Sequence, residues 1–112
     1  MSARVIVASK TKAEKERLEI IGNMPCYACF QDGKEVQAEV HHIRNLNGHT
    51  GIGKRPSHFH TVPLCVSHHR TGKVSVHLGK KEFIARYGTE QDILEKVNRE
   101  IEKCKEETKG IF

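Results

Sequence analysis

The stretch PLCVSHHR, Pro63 to Arg70, sets two histidines side by side behind a cysteine. Cys65-x-x-His68 has the spacing of a zinc half-site. At the start of a helix the next residue lies about 100° further round. If His68 faces that zinc, His69 must face elsewhere, so the pair asks for two sites rather than one. A partner for the first half-site stands upstream in CYAC, Cys26 to Cys29. Two-residue spacers let each pair converge on one ion, and thiolates with an imidazole are ligands that zinc prefers. Cys26, Cys29, Cys65 and His68 therefore make a candidate closed Cys3His structural zinc site.

The bulk composition makes such a staple useful. The chain has 112 residues, 37% apolar and 5% aromatic, with no Trp, and a mean hydropathy of -0.57. A chain this size can bury roughly 65% of its unfolded surface, and this one has few large side chains to do it with. A filled structural zinc site contributes on the order of 10 kcal/mol to folding. Cys104 lies outside the pattern. It continues the stripe Ile93, Val97, Ile101 on a C-terminal helix and is expected to be a small buried hydrophobe of that face.

All eight histidines lie between His41 and His77. Such density beside cysteine points to metal chemistry, since imidazole is the commonest metal ligand and titrates near neutral pH. In VHHI, His41 and His42 are neighbours on an expected strand and so face opposite sides. One can bind an ion while the other acts on a water.

The formal net charge is +5 and the isoelectric point about 9.1. Every charged residue from Arg44 to Lys81 is basic. This suits a polyanionic partner, although a solvated charged face has the same look. No apolar run approaches a membrane span, and MSARVIVASK is too short in apolar residues for a secretory signal. A soluble cytoplasmic protein is the expectation; a monomer is favoured, and the sequence itself is silent on oligomeric state.

The pattern predicts an α+β protein of one domain, residues 1–112. A helical segment occupies residues 1–24, with Thr11 and Glu14 as a capping box, Leu18 and Ile21 as its apolar stripe, and Gly22-Asn23 as a left-handed cap before Pro25. A zinc-stapled finger fills residues 25–75, in which Asp32-Gly33 is expected to turn a β-hairpin backed by Val36, Ala38 and Val40. RNLNGHTGIGKRPS reads as a loop, HFHTVPLC as an extended run, and CVSHHR as a helix start. Residues 76–112 hold two helices, the first with Phe83, Ile84 and Tyr87 on one side and Gly88 as its cap.

CYAC, EVHHI and HTVPLCVSHHR together resemble the HNH nucleases over roughly residues 26–70. Their ββα-metal (His-Me) finger wraps a hairpin, a loop and a helix around one divalent cation. GIGKRPSHFHTVPLCVSHHRTG and HLGKKEFIARYGTEQDILEKV resemble more closely the phage recombination-enhancement nucleases, a likeness reaching about residue 97. The resemblance implies a DNA endonuclease that hydrolyses phosphodiester bonds with His42 as general base. It implies His41 and His69 as ligands of the catalytic ion, which can be Mg²⁺, Mn²⁺ or Zn²⁺. The motif's central asparagine falls on His60, so the triad here reads His-His-His, and His58 competes for that place or for the metal. His77 can approach the ion too. Arg44, Lys54, Arg55, Arg70 and Lys73 are candidate phosphate contacts, which would carry no sequence information. The resemblance also implies a RecA filament as partner.

A different class accounts for part of the pattern. A non-catalytic zinc module binding nucleic acid explains Cys26, Cys29, Cys65, His68 and the basic stretch, but not His41, His42, His60 and His69. An HNH nickase or branched-DNA nuclease without RecA dependence shares the chemistry and differs in substrate.

Overall fold

The computed structural model describes residues 10–44 and 57–111, with side chains to residue 105. The elements are α1 (Lys12–Asn23), α2 (Tyr27–Gln31), β1 (Glu39–His42), β2 (Thr61–Leu64), a π-helical turn (Ser67–Thr71), α3 (Lys80–Tyr87) and α4 (Glu90–Ile111). The class is α+β, with helices packed on a two-stranded antiparallel sheet. No helix among the described residues is long and apolar enough to cross a membrane.

Helix α1 begins as its sequence predicts. The Glu14 N–H donates to Thr11 Oγ1 and the Thr11 N–H donates back to the Glu14 carboxylate, at 3.1 and 2.8 Å. This satisfies two donors that a helix start leaves orphaned. Its end differs from expectation. Gly22 and Asn23 remain helical, and Met24 leaves the helix in extended backbone with ψ 151°. Pro25 is the cause, because a residue before proline is sterically pushed out of the helical region.

The Asp32-Gly33 signal also acts differently from expectation. CYAC is not a bare knuckle but opens α2, with Cys26 as its N-cap. Gly33, at φ 83°, turns the chain out of α2 while its N–H donates to the Phe30 carbonyl. A left-handed glycine serves a helix exit as well as a hairpin, and the sequence does not separate the two. The true partner of β1 is β2, in the register Glu39–Leu64, Val40–Pro63, His41–Val62 and His42–Thr61. The Ile43 N–H donates to the His60 carbonyl at 2.9 Å. Alternation from that bonded pair leaves Pro63 at a non-hydrogen-bonded position, where its missing N–H costs no ladder bond.

The core gathers Ile21, Ile43, Val62, Leu64, Phe83, Ile93 and Val97 around the sheet. Arg17 ties three elements together. Its guanidinium donates to the Thr61 carbonyl at 2.7 Å, to Thr61 Oγ1 at 3.1 Å and to Asn98 Oδ1 at 2.7 Å. Thr61 is fully buried, so losing the fork leaves its carbonyl short of a partner. We expect Arg17→Ala to cost about 1–3 kcal/mol in chemical denaturation, with little rescue by Arg17→Lys, whose single ammonium cannot span the three acceptors. An unchanged midpoint for both variants would contradict this.

The α4 stripe is buried at Ile93, Val97 and Ile101, but Cys104 is exposed. Helix α4 runs on past the core at this point. Cys104 joins Ile20, Met24 and Ile101 around an open recess at the end of α1 rather than entering the interior.

Candidate metal centres

The first cluster is assembled from three pieces of backbone. Cys26 and Cys29 come from the N-cap and first turn of α2, Cys65 follows β2, and His68 sits in the π-helical turn. Cys29 Sγ lies 3.8 Å from Cys65 Sγ. His68 Nδ1 lies 3.8, 3.5 and 3.4 Å from the sulfurs of Cys26, Cys29 and Cys65. A tetrahedral zinc with ordinary bond lengths requires about 3.8 Å between sulfurs and about 3.6 Å between sulfur and nitrogen. The donors therefore fit a zinc ion in number, type and spacing. Burial, followed by the Cys26 thiol, pushes Cys29 up to about 12, so packing three thiolates here calls for a cation among them.

The second nitrogen of His68 is also placed. Nε2 lies 3.4 Å from the Tyr87 hydroxyl, which donates to Asp32 Oδ2 at 2.7 Å. Burial, then Asp32, pushes the Tyr87 phenol up to about 12, so it stays protonated. The chain His68–Tyr87–Asp32 links the cluster to α3 and to the exit of α2. Outer partners of metal ligands typically hold 10- to 100-fold in affinity. Tyr87→Phe keeps the ring against Phe83 and His68 but removes the link. It should release zinc to a chromogenic chelator about tenfold faster, and an unchanged release rate would contradict the role.

The second cluster is made of imidazoles. His41 on β1, His69 in the π-helical turn and His77 in the loop after it bring one ligand nitrogen each within 4.8 Å of one another. Ring centroids are 4.8 Å apart for His41 and His69, 4.9 Å for His69 and His77, and 5.5 Å for His41 and His77. The loop is pinned to the turn by two backbone bonds, from the Val76 N–H to the His68 carbonyl and from the His77 N–H to the His69 carbonyl. It folds back tightly enough that a Cβ at Gly79 would collide with the Lys73 carbonyl oxygen. Three imidazoles form a donor set suited to a divalent first-row ion.

Two carboxylates flank this cluster. Glu90 Oε2 is 2.6 Å from His41 Nε2, and Glu39 Oε1 is 2.6 Å from His69 Nδ1. Hydrogen bonds from Arg70 and then His69 pull Glu39 down to about 2. Burial raises the Glu90 carboxyl, but His41 and Lys80 outweigh it and hold it below the ordinary carboxylate range. Sequence reasoning missed both residues. Glu39 carried a signal, since it shares a strand face with His41 two residues on. Glu90 carried none, lying far along the chain at the start of α4.

His42 lies on the other side of β1, half-buried, with Nε2 at 3.0 Å from His58 Nδ1. Burial and then His58 hold His42 below its ordinary value, so the ring is neutral at pH 7. His58 thus stands against His42, while the nitrogens that converge are those of His41, His69 and His77. The His60 carbonyl anchors Ile43, the residue after His42. His41, His42 and His77 share a cleft of about 490 Å³ with Arg44, Lys80 and Glu90. Arg44 and Lys73 are exposed. Arg70 is engaged by Glu39, its Nε donating at 2.9 Å. Lys54 and Arg55 lie outside the described residues, as does His49.

A closed Cys3His cluster that could hold zinc and an open cluster of three imidazoles stand on one small α+β scaffold. The chain belongs to the family described as recombination enhancement, RecA-dependent nuclease, whose model matches residues 10–102. No curated protein matches it.

Proposed function

We propose that this protein is a metal-dependent DNA endonuclease of the HNH type, acting in recombination on DNA engaged by a RecA filament. The observation that carries the proposal is a half-buried histidine, His42, that stands next to the three-imidazole cluster on β1 and shares its cleft. β1, β2 and the π-helical turn correspond in this reading to the hairpin and helix of a ββα-metal finger. The Cys3His cluster is its structural staple. The family's description supports both the nuclease activity and the RecA requirement.

His41, His69 and His77 are the residues that would hold the catalytic divalent ion. Such an ion, when bound, supplies charge stabilisation to the phosphate and its departing 3′ oxygen. His42 removes a proton from the attacking water. With its Nε2–H donating to His58 Nδ1, His42 keeps Nδ1 as the basic nitrogen, and His58 is the group that orients the base. The His60 carbonyl, through Ile43, fixes the backbone beside His42, a task that the motif's usual asparagine performs. Arg44 and Lys73 are placed to meet backbone phosphates without reading sequence.

Metal counting tests this reading against a non-catalytic zinc module. The purified protein should retain one tightly held zinc and take up a second, exchangeable Mn²⁺. Alanine at His41, His69 or His77 should weaken the second ion and spare the first. A single zinc with no further uptake would favour the module.

A further inference from the structure

The three-imidazole cluster leaves open which nitrogen of each ring is offered to an ion, and its two carboxylates answer that. An imidazole that donates an N–H on one side presents a lone pair on the other. His41 meets Glu90 through Nε2, and His69 meets Glu39 through Nδ1. We infer that Glu90 and Glu39 are positioning residues which lock the two rings in opposite tautomers, so that His41 offers Nδ1 and His69 offers Nε2 to the ion.

The two carboxylates are themselves firmly placed. Glu90 opens α4 just after a reciprocal cap, in which the Asp92 N–H donates to Thr89 Oγ1 and the Thr89 N–H donates to Asp92 Oδ2, both at 3.1 Å. Lys80, the first residue of α3, sits 3.3 Å from the other Glu90 oxygen. Glu39 is held by Arg70, whose Nε and Nη2 donate to Oε1 and Oε2 at 2.9 and 3.3 Å. Each carboxylate thus meets both a cation and an imidazole. The arrangement also gives the C-terminal helices a task at the site, because α3 and α4 supply the group that sets the His41 ring. Arg70, immobilised on Glu39, supports His69 in the same way.

The inference rests on the metal-binding reading above, and the test separates the two. The probe is Mn²⁺ alone, titrated by calorimetry into the full-length zinc-loaded protein. Glu90→Ala should bind it about 10- to 100-fold more weakly than wild type. Glu90→Gln, whose amide oxygen still accepts from His41 Nε2–H, should recover most of that loss. Long-range proton–nitrogen correlation spectra of the wild-type protein without Mn²⁺ should find the proton of His41 on Nε2 and that of His69 on Nδ1. Either ring in the opposite tautomer would overturn the inference. So would equal Mn²⁺ affinity in Glu90→Ala and wild type, or a Glu90→Gln as weak as Glu90→Ala, which would make Glu90 a ligand. Wild-type protein that binds no Mn²⁺ would remove the metal-site reading itself.

Discussion

His42→Ala should cut DNA about 10²- to 10⁴-fold more slowly than wild type, the usual worth of a positioned general base. It should do so while binding DNA and both metals as before. The separation follows from the alternation of β1. His41 points into the imidazole cluster and is buried, whereas His42 points to the opposite side, towards His58. Alanine at 42 therefore removes the proton acceptor without touching a ligand. Its burial is partial, so the cavity left behind is open to water and the fold should tolerate it. Wild-type cutting by a well-folded His42→Ala protein would dismiss the base, and reduced Mn²⁺ binding by it would mean that the two faces of β1 are not separate.

Loss of the Cys3His cluster should be the most severe structural change. Cys29→Ala removes one of four donors, and Cys29 is buried in contact with the rest of the set. A filled structural zinc site is worth on the order of 10 kcal/mol, the same order as the whole net stability of an ordinary domain, about 5–15 kcal/mol. The described core has one large fully buried aromatic, Phe83, and its other members are aliphatic or small. Cys29→Ala is expected to purify without zinc and to show no cooperative thermal transition. Stripping wild-type protein with a strong chelator should give the same result, and restoring zinc should reverse it. A zinc-free protein that melts cooperatively at the wild-type temperature would show that packing alone carries the fold.

Local chemistry with a fixed spacing was legible in the sequence. The Thr11–Glu14 cap, the Gly88 stop with φ 99°, the buried face of Ile93, Val97 and Ile101, and the two half-sites Cys26–Cys29 and Cys65–His68 all follow from short-range rules. Long-range partnership was not. β1 pairs with β2 across a long connection, and the nearer Asp32-Gly33 turn signal was taken up by the exit of α2 instead. Nothing local distinguishes those two uses of a left-handed glycine. Cys104 kept the right periodicity but lies exposed at the open recess by the end of α1. At the imidazole cluster, His77 was a candidate without a position until the 76–77 backbone docked on the π-helical turn. Glu90 depended wholly on where α4 begins.

The most direct test of the central claim is cleavage of DNA paired within a RecA filament, compared with the same DNA free, in Mg²⁺, Mn²⁺ and EDTA. Cutting that needs the divalent ion, rises sharply in the filament and disappears in His42→Ala is the predicted result. No cutting under any of these conditions, by folded protein with its zinc bound, would contradict it.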